Sequence, residues 1–293
     1  MNGRANGADR RRADGAGAGS WEALVLDCPL PRLEARVLLE AASGRRREWL
    51  IAHGDEAADP AAAQAFALLV QRRRDGEPIA YLVGAREFAG RRFATTPAVL
   101  VPRPDTETLV AFALANTPAQ GRVLDLGTGS GAIAITIACE REDVRIVATD
   151  RSEAALALAR RNAEALCPRA LETRRLQLRA GDWWRCIGHD ERFDVVVSNP
   201  PYVADDDPHL REGDLRFEPR DALAAGADGL DALRAIIDGA APHVATDGWL
   251  ALEHGHEQGE AVRALLAARG WREPATRRDD AGRPRITCAR PFL

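Results

Sequence analysis

The segment Val123-Leu124-Asp125-Leu126-Gly127-Thr128-Gly129-Ser130-Gly131 decides the fold of this chain. Its apolar first half predicts a buried β-strand, and the glycines that follow allow the backbone to turn sharply into a helix. Asp150 ends the next apolar run, about 20 residues further on, where a carboxylate can accept hydrogen bonds from the hydroxyls of a ribose. This order of strand, glycine loop, helix, strand and acid predicts a site for a nucleotide cofactor.

Strand and helix patterns alternate along the chain on both sides of that segment. Strands are predicted near residues 123–126, 145–149, 176, 193–198, 249–253 and 285–289, and helices over residues 106–116, 132–141, 153–166, 230–240 and 257–268. Such alternation is typical of an α/β fold, in which helices cover both faces of a mostly parallel sheet. We therefore predict an α/β domain over residues 105–293.

The residues before this domain have a different pattern. Between residues 21 and 85 the apolar side chains recur at helical spacing, interrupted by prolines and glycines, which predicts a small all-helical domain. Residues 86–104 predict a β-hairpin that links the two domains. Residues 1–20 are polar and rich in glycine and arginine, and they predict a disordered tail.

Composition narrows the class of protein. The chain has 293 residues, of which 46% are hydrophobic and 29% charged, as in ordinary globular proteins. All 40 basic residues are arginines, and the net charge of -4 disfavours binding to nucleic acid through its phosphates. The five cysteines form no C-x-x-C pair, and no apolar run approaches the ~18 residues of a membrane span. We therefore predict a cytoplasmic protein that binds neither membranes nor nucleic acid.

The glycine loop is compatible with two kinds of cofactor. Gly127, Gly129 and Ala132 fit the G-x-G-x-x-G/A spacing of dinucleotide-binding proteins. Asp125, Gly127, Gly129 and Gly131 equally fit the D-x-G-x-G-x-G loop of S-adenosylmethionine-dependent methyltransferases. The loop by itself does not choose between a nicotinamide dinucleotide and S-adenosylmethionine.

A second motif, Ser198-Asn199-Pro200-Pro201-Tyr202, follows the fourth predicted strand, at the sheet edge where α/β proteins bind ligands. An amide nitrogen is a poor nucleophile because its lone pair is delocalised into the carbonyl. A catalyst must therefore orient the NH2 group and stabilise the positive charge that develops on it. The Asn199 side-chain oxygen and the Pro200 carbonyl are two acceptors able to hold both N–H groups, and Tyr202 offers a π face.

These motifs, with Arg103-Pro104-Asp105-Thr106-Glu107, Asp182-Trp183 and Phe217-Glu218-Pro219, resemble those of the bacterial peptide chain release factor glutamine methyltransferases, the HemK/PrmC family. The resemblance extends from residue 33 to the C-terminus. It implies a class I S-adenosylmethionine-dependent methyltransferase with a Rossmann-like, seven-stranded sheet and a small N-terminal all-helical domain. The implied reaction is methylation of the side-chain amide nitrogen (N5) of the glutamine in the Gly-Gly-Gln motif of class 1 release factors.

The resemblance also implies roles for particular residues. By position, the cofactor would contact Gly127, Thr128, Gly129, Ser130, Gly131, Asp150, Asp182, Trp183 and Asn199. The glutamine would bind at Asn199, Pro200, Pro201 and Tyr202, of which Asn199, Pro200 and Tyr202 would be catalytic. The helical domain would recognise the release factor.

Two other functions share part of this pattern. Nucleic-acid amino-methyltransferases that act on adenine N6 or guanine N2 use the same N-P-P-Y chemistry, but this chain has no basic patch to hold phosphates. A dehydrogenase would use the glycine loop for a nicotinamide cofactor, but no histidine is placed for hydride transfer. Glu253-His254-Gly255-His256-Glu257 is interpreted as a helix-capping turn rather than a metal site. We predict a monomeric enzyme without a bound metal.

Overall fold

The computed structural model describes residues 19–292, and the chain divides into two units, Met1–Val83 and Gly84–Leu293. Residues 1–18 of the predicted tail lie outside the described residues. Ser20, at the end of that tail, pairs with Ala57 in an isolated β-bridge. Its Oγ accepts a hydrogen bond from the Ala23 backbone N–H and so caps the first helix.

The first unit is helical, as the spacing of its apolar residues predicts. Its helices are α1 (Trp21–Leu26), α2 (Arg32–Ser43), α3 (Arg47–Ala52), α4 (Pro60–Arg74) and α5 (Ile79–Leu82). Gly44 ends α2 with a φ of 65°, a conformation that favours glycine. Asp59 caps α4 by accepting from the Ala62 N–H, with Pro60 in the first turn. The side chains of Trp21, Leu38, Leu39 and Phe66 fill the core between these helices.

The second unit begins with a β-hairpin of β1 (Ala85–Phe88) and β2 (Arg91–Ala94). Phe88 and Phe93 are buried in the core of this unit, with their ring centroids 6.0 Å apart. The Asn162 side chain bonds both the N–H and the C=O of Ala94. The hairpin therefore packs as part of the sheet unit.

Seven strands form the sheet: β3 (Arg122–Leu126), β4 (Arg145–Asp150), β5 (Leu176–Ala180), β6 (Phe193–Ser198), β7 (Val244–Glu253), β8 (Arg272–Arg278) and β9 (Pro284–Arg290). Their order is β5-β4-β3-β6-β7-β9-β8. The first five strands in that order are parallel to one another, and β9 is antiparallel to both of its neighbours. This arrangement confirms the predicted Rossmann-like, seven-stranded fold.

Helices cover both faces of the sheet, because adjacent residues of each central strand point to opposite sides. Val123 of β3 packs in one layer with α6 (Glu107–Asn116), α7 (Ala132–Glu140) and α8 (Glu153–Leu166). Leu124 packs in the other layer with α10 (Asp231–Ala240) and α11 (Gly259–Ala268). The short α9 (Pro168–Glu172) precedes β5. Within residues 19–292 every helix is too short or too polar to span a bilayer.

Two strands differ from the prediction. β8 was not predicted, and β7 begins at Val244 rather than at residue 249. The central position of β3 brings the carboxyl ends of β4, β3 and β6 side by side, at the point where the strand order reverses direction. Open α/β sheets bind their ligands at such a point.

Candidate functional site

A cavity of about 570 Å³ lies at the carboxyl ends of β3, β4 and β6. Ten of the predicted site residues line it: Gly127, Thr128, Gly129, Ser130, Asp150, Asp182, Trp183, Asn199, Pro200 and Pro201. Gly131 and Tyr202 do not line it. The glycine loop, the acid of β4 and the N-P-P-Y motif therefore meet around one space, although they are far apart in sequence.

The glycine loop has three residues with positive φ, namely Gly127 (72°), Gly129 (56°) and Gly131 (82°). A Cβ at Gly127 would lie 3.3 Å from the Trp183 ring, whereas a Cβ at Gly129 would meet no atom of residues 19–292 within 4 Å. A Cβ at Gly131 would lie 2.6 Å from Ile135 Cδ1. Its positive φ favours glycine at position 131, and Ile135 packs closely against it. Gly129 leaves open space beside the loop.

Asp125 holds the glycine loop in place through a buried hydrogen bond. Its side chain is fully buried, and its Oδ2 accepts a hydrogen bond of 2.6 Å from Thr128 Oγ1. The Thr128 N–H donates to the Thr149 carbonyl at 2.8 Å, which ties the loop to β4. Burial raises the pKa of Asp125 to about 7.

Asp150 ends β4, and both of its carboxylate oxygens accept backbone hydrogen bonds. Oδ2 accepts from the Gly129 N–H and Oδ1 from the Ser152 N–H, each at 2.9 Å. A carboxylate offers about four acceptor positions, so each oxygen retains one for a ligand hydroxyl. The carboxylate is held rigidly at the cavity wall with acceptor capacity to spare.

The two adjacent indoles have separate environments. Trp183 has a φ of 47° and places its ring over Gly127 at the cavity wall. Trp184 Nε1 donates to the Ile236 carbonyl at 3.1 Å, and its ring stacks on His243 at 5.1 Å between centroids. Trp184 therefore packs against α10, while Trp183 remains available to a ligand.

The N-P-P-Y motif follows β6, which holds it through a 2.7 Å bond from Ser198 Oγ to the Leu126 carbonyl. Asn199 Nδ2 donates to Thr106 Oγ1 at 3.1 Å. Asn199 Oδ1 is buried without a hydrogen-bond partner among residues 19–292. An unpaired buried acceptor costs free energy, so this oxygen is suited to accept a hydrogen bond from a ligand.

Tyr202 lies behind the cavity wall. Its hydroxyl donates to Glu253 Oε1 at 3.4 Å, and its backbone carbonyl accepts from Gln258 Nε2 at 2.9 Å. Burial raises the pKa of the Tyr202 hydroxyl, so it stays protonated at neutral pH. The geometry gives Tyr202 a clear role in holding the loop.

The motif Arg103-Pro104-Asp105-Thr106-Glu107 ties the site together, a role that its sequence does not reveal. Arg103 pairs with the buried carboxylate of Glu218. Asp105 pairs with Arg285 of β9 at 2.7 Å, and Glu107 accepts from the Ala89 N–H at 2.9 Å. Thr106 bonds Asn199, as described above. The contacts of Thr106, Glu253 and Arg285 could not be predicted from the sequence, because their partners are distant in the chain.

The Glu253-to-Glu257 segment forms a turn between β7 and α11. His254 Nδ1 lies 2.8 Å from the Gly255 carbonyl, and Nε2 lies 2.8 Å from Thr287 Oγ1. The Gly255 N–H donates to Gln258 Oε1 at 2.9 Å. No group of three potential metal-ligating side chains occurs within the described part of the chain.

Comparisons with known proteins agree over both units. Residues 23–84 match the family model of the PrmC N-terminal domain, and residues 101–212 match the methyltransferase small domain. The release factor glutamine methyltransferase of Bordetella pertussis is 50% identical over 266 residues, which cover 90% of this chain and 96% of that protein. Those of Burkholderia pseudomallei and Escherichia coli are 52% and 43% identical, over 91% and 89% of this chain and 94% and 93% of those proteins.

Solved structures share the fold at lower identity. A methyltransferase from Pyrococcus furiosus has a TM-score of 0.51 and 18% identity, and covers 70% of this chain and 91% of its own. The catalytic domain of hMettl16 has a TM-score of 0.54 and 15% identity, over 80% of this chain and 82% of its own. At these identities the likeness concerns the fold alone.

Proposed function

This chain belongs to the family of release factor glutamine methyltransferases, and from that membership we propose that it methylates the side-chain amide nitrogen (N5) of the glutamine in the Gly-Gly-Gln motif of class 1 release factors. The methyl donor is S-adenosylmethionine. The observation that carries this proposal within the structure is Asn199, which lines the cavity and whose buried Oδ1 lacks a hydrogen-bond partner among residues 19–292.

The residues around the cavity fit S-adenosylmethionine. Asp150 has spare acceptor positions for the two ribose hydroxyls, the ring of Trp183 is available to the adenine, and the space beside Gly129 leaves room for the rest of the molecule. When bound, the cofactor supplies an electrophilic methyl group on a sulfonium sulfur. We assign Gly127, Thr128, Ser130 and Asp182 to the same binding surface.

The chain's own residues orient the amide. Asn199 Oδ1 and the Pro200 carbonyl would each accept one N–H of the glutamine, which fixes the nitrogen in one direction. Both are oxygen dipoles that face the positive charge as it builds on the nitrogen, so they stabilise the transition state more than the ground state. Pro200 and Pro201 keep the loop rigid, and Tyr202 anchors it to Glu253.

The charge around the cavity supports a protein substrate over a polyphosphate one. In the described part of the chain, three arginines and four aspartates line it: Arg103, Arg151, Arg220, Asp150, Asp182, Asp221 and Asp231. Arg151 pairs with Asp221 at 2.9 Å, and Arg103 with Glu218. The cavity therefore offers little net positive charge to a nucleic-acid backbone.

The proposal extends to the partner and the compartment. We assign recognition of the folded release factor to the helical unit, which matches the PrmC N-terminal domain. Five free cysteines suit a reducing compartment, and we propose a cytoplasmic monomer.

Mass spectrometry of a class 1 release factor tests this function. After incubation with the enzyme and S-adenosylmethionine, we expect a mass gain of one CH2 unit on the glutamine of the Gly-Gly-Gln motif. A release factor with that glutamine replaced by asparagine is the matched control and should gain nothing. Methylation of total RNA or DNA in parallel reactions, with the release factor unmodified, would contradict the proposal.

A further inference from the structure

A line of contacts leads from the cavity into the interior of the sheet unit. Asn199 at the cavity wall donates to Thr106 Oγ1, and Thr106 lies beside the carboxyl of Glu253. Glu253 is the last residue of β7, and only 1% of its surface is exposed. Tyr202 donates its hydroxyl to the same carboxyl. Glu253 thus reaches the first and last residues of the N-P-P-Y motif without lining the cavity.

Two buried oxygens in this line of contacts lack a partner at normal hydrogen-bond geometry within residues 19–292. They are Asn199 Oδ1 and Glu253 Oε2. Between them in the line of contacts is the Thr106 hydroxyl, which accepts from Asn199 and still has its own proton to donate. That hydroxyl favours the ionised form of Glu253, as expected for a donor next to a carboxylate.

The single proton of Thr106 decides which end of the Asn199 amide faces the cavity. When Glu253 takes that proton, Thr106 Oγ1 can only accept, so Asn199 must turn its amino group to Thr106. Oδ1 then remains for the cavity, where a substrate N–H needs an acceptor. Without an acceptor at Glu253, Thr106 can donate to Oδ1 instead, and the amino group of Asn199 faces the substrate.

We propose, on the basis of the function proposed above, that Glu253 is a positioning residue. By accepting the hydroxyl protons of Thr106 and Tyr202, it sets the orientation of the Asn199 amide so that Oδ1 is presented to the glutamine. The same carboxylate fixes the end of the N-P-P-Y loop through Tyr202.

The proposal has a consequence for pH dependence. Burial raises the pKa of Glu253 to about 7. The charged or titratable groups that face it are Asp105 from the segment before α6, Tyr202 from the loop after β6 and Arg285 from β9. An ionised Glu253 accepts from Thr106, whereas a protonated one donates to it and releases the hydroxyl proton toward Asn199. Methyl transfer should therefore fall as the pH is lowered through about 7.

Variants of Glu253 test the role in the full-length enzyme. Glu253→Leu fills the buried space with an apolar side chain and removes the hydrogen-bond acceptor. We expect kcat to fall about 10-fold to 100-fold, with an unchanged Kd for S-adenosylmethionine. Glu253→Gln retains an acceptor oxygen without a titrating proton, so it should keep most of the wild-type rate and lose the decrease below pH 7. Glu257→Gln, an exposed neighbour, is the control. Equal rates and equal pH profiles in wild type and Glu253→Leu would overturn the proposal.

A double-mutant cycle distinguishes positioning from general stability. If Thr106 acts through Asn199, then Thr106→Val lowers kcat in the wild-type background but has no further effect in Asn199→Ala. Additive losses in the double variant would show that Thr106 does not act through Asn199, which would overturn the route from Glu253 to the amide.

A readout that does not need turnover separates this proposal from the proposed function. The side-chain NH2 resonances of Asn199, identified by their absence in Asn199→Asp, should show slow exchange in the wild type and fast exchange in Glu253→Leu. The wild-type enzyme could fail to methylate a release factor while the exchange rates still differ between wild type and Glu253→Leu. That result would contradict the proposed substrate but support the proposed orientation of Asn199. If the exchange rate of the Asn199 NH2 protons is the same in Glu253→Leu as in the wild type, the positioning role of Glu253 is refuted.

Discussion

Asp150 holds its own loop and has capacity left for a ligand, since each carboxylate oxygen already accepts one backbone N–H. A hydrogen bond to a charged acceptor contributes about 1.5–3 kcal/mol. We therefore expect Asp150→Ala to weaken binding of S-adenosylmethionine by about 10-fold to 150-fold for each ribose bond lost, measured by calorimetry. Asp190→Ala, a fully exposed carboxylate, should leave the affinity unchanged. Equal affinities for the two variants would contradict the assignment of Asp150.

In the proposed reaction, Asn199 is the residue on which methyl transfer depends most. Removing one preorganised polar group from an active site typically costs about 100-fold to 1,000-fold in rate, and we expect Asn199→Ala to lose that much in single-turnover methyl transfer. Asn199→Asp keeps an acceptor oxygen but loses the N–H that bonds Thr106, so it should retain more activity than the alanine variant. If all three enzymes transfer methyl at one rate, Asn199 is a turn residue and Pro200 alone orients the amide.

At the scale of elements, the sequence predicts what is local or strongly apolar. The central strands are buried on both faces, so their continuous apolar runs are visible without the fold. β8 was missed because it is an edge strand that contains three arginines and a proline, and most of its residues are partly or fully exposed. The first half of β7 was missed because Asp247 and Gly248 interrupt it at a bulge.

In the site, too, only local features could be predicted from the sequence. The glycine loop, Asp150 and the N-P-P-Y motif could be predicted because each is contiguous and follows a recognisable strand. The contacts of Thr106 with Asn199 and of Tyr202 with Glu253 could not, since they join segments 93 and 51 residues apart. Only the packing of α6 against β6 and β7 brings those segments together.

Helix α10 provides a prediction at this scale, because Gly239 lies against an indole. Alanine usually stabilises a helix by about 1 kcal/mol relative to glycine. Here a Cβ would lie 2.2 Å from Trp184 Cδ1, and that ring is held by Ile236 and His243. Overpacking costs about 1–3 kcal/mol, so we expect Gly239→Ala to lower the free energy of unfolding in urea. The same change in a Trp184→Ala background should raise it, and a stabilised Gly239→Ala single variant would contradict the packing.

At the scale of the whole molecule, the division after Val83 predicts separable activities. Among residues 19–292, those that line the cavity all belong to the second unit, and the hairpin with Phe88 and Phe93 contributes to the core of that unit. We expect residues 84–293 to bind S-adenosylmethionine with the affinity of the full chain and to methylate a short Gly-Gly-Gln peptide equally well. Methylation of an intact release factor should fall steeply. A full rate on the intact protein would show that the helical unit does not recognise the substrate.

The position of Trp183 has an optical consequence. All six tryptophans lie within the described residues, and Trp183 is the one that lines the cavity. Indole emission responds to the polarity and charge of whatever lies against the ring, so a ligand entering this space should alter the fluorescence of one tryptophan and leave the other five as a constant background. The enzyme thus contains its own fluorescent reporter of cofactor binding. Trp183→Phe should keep an aromatic ring at the cavity wall and abolish the fluorescence change.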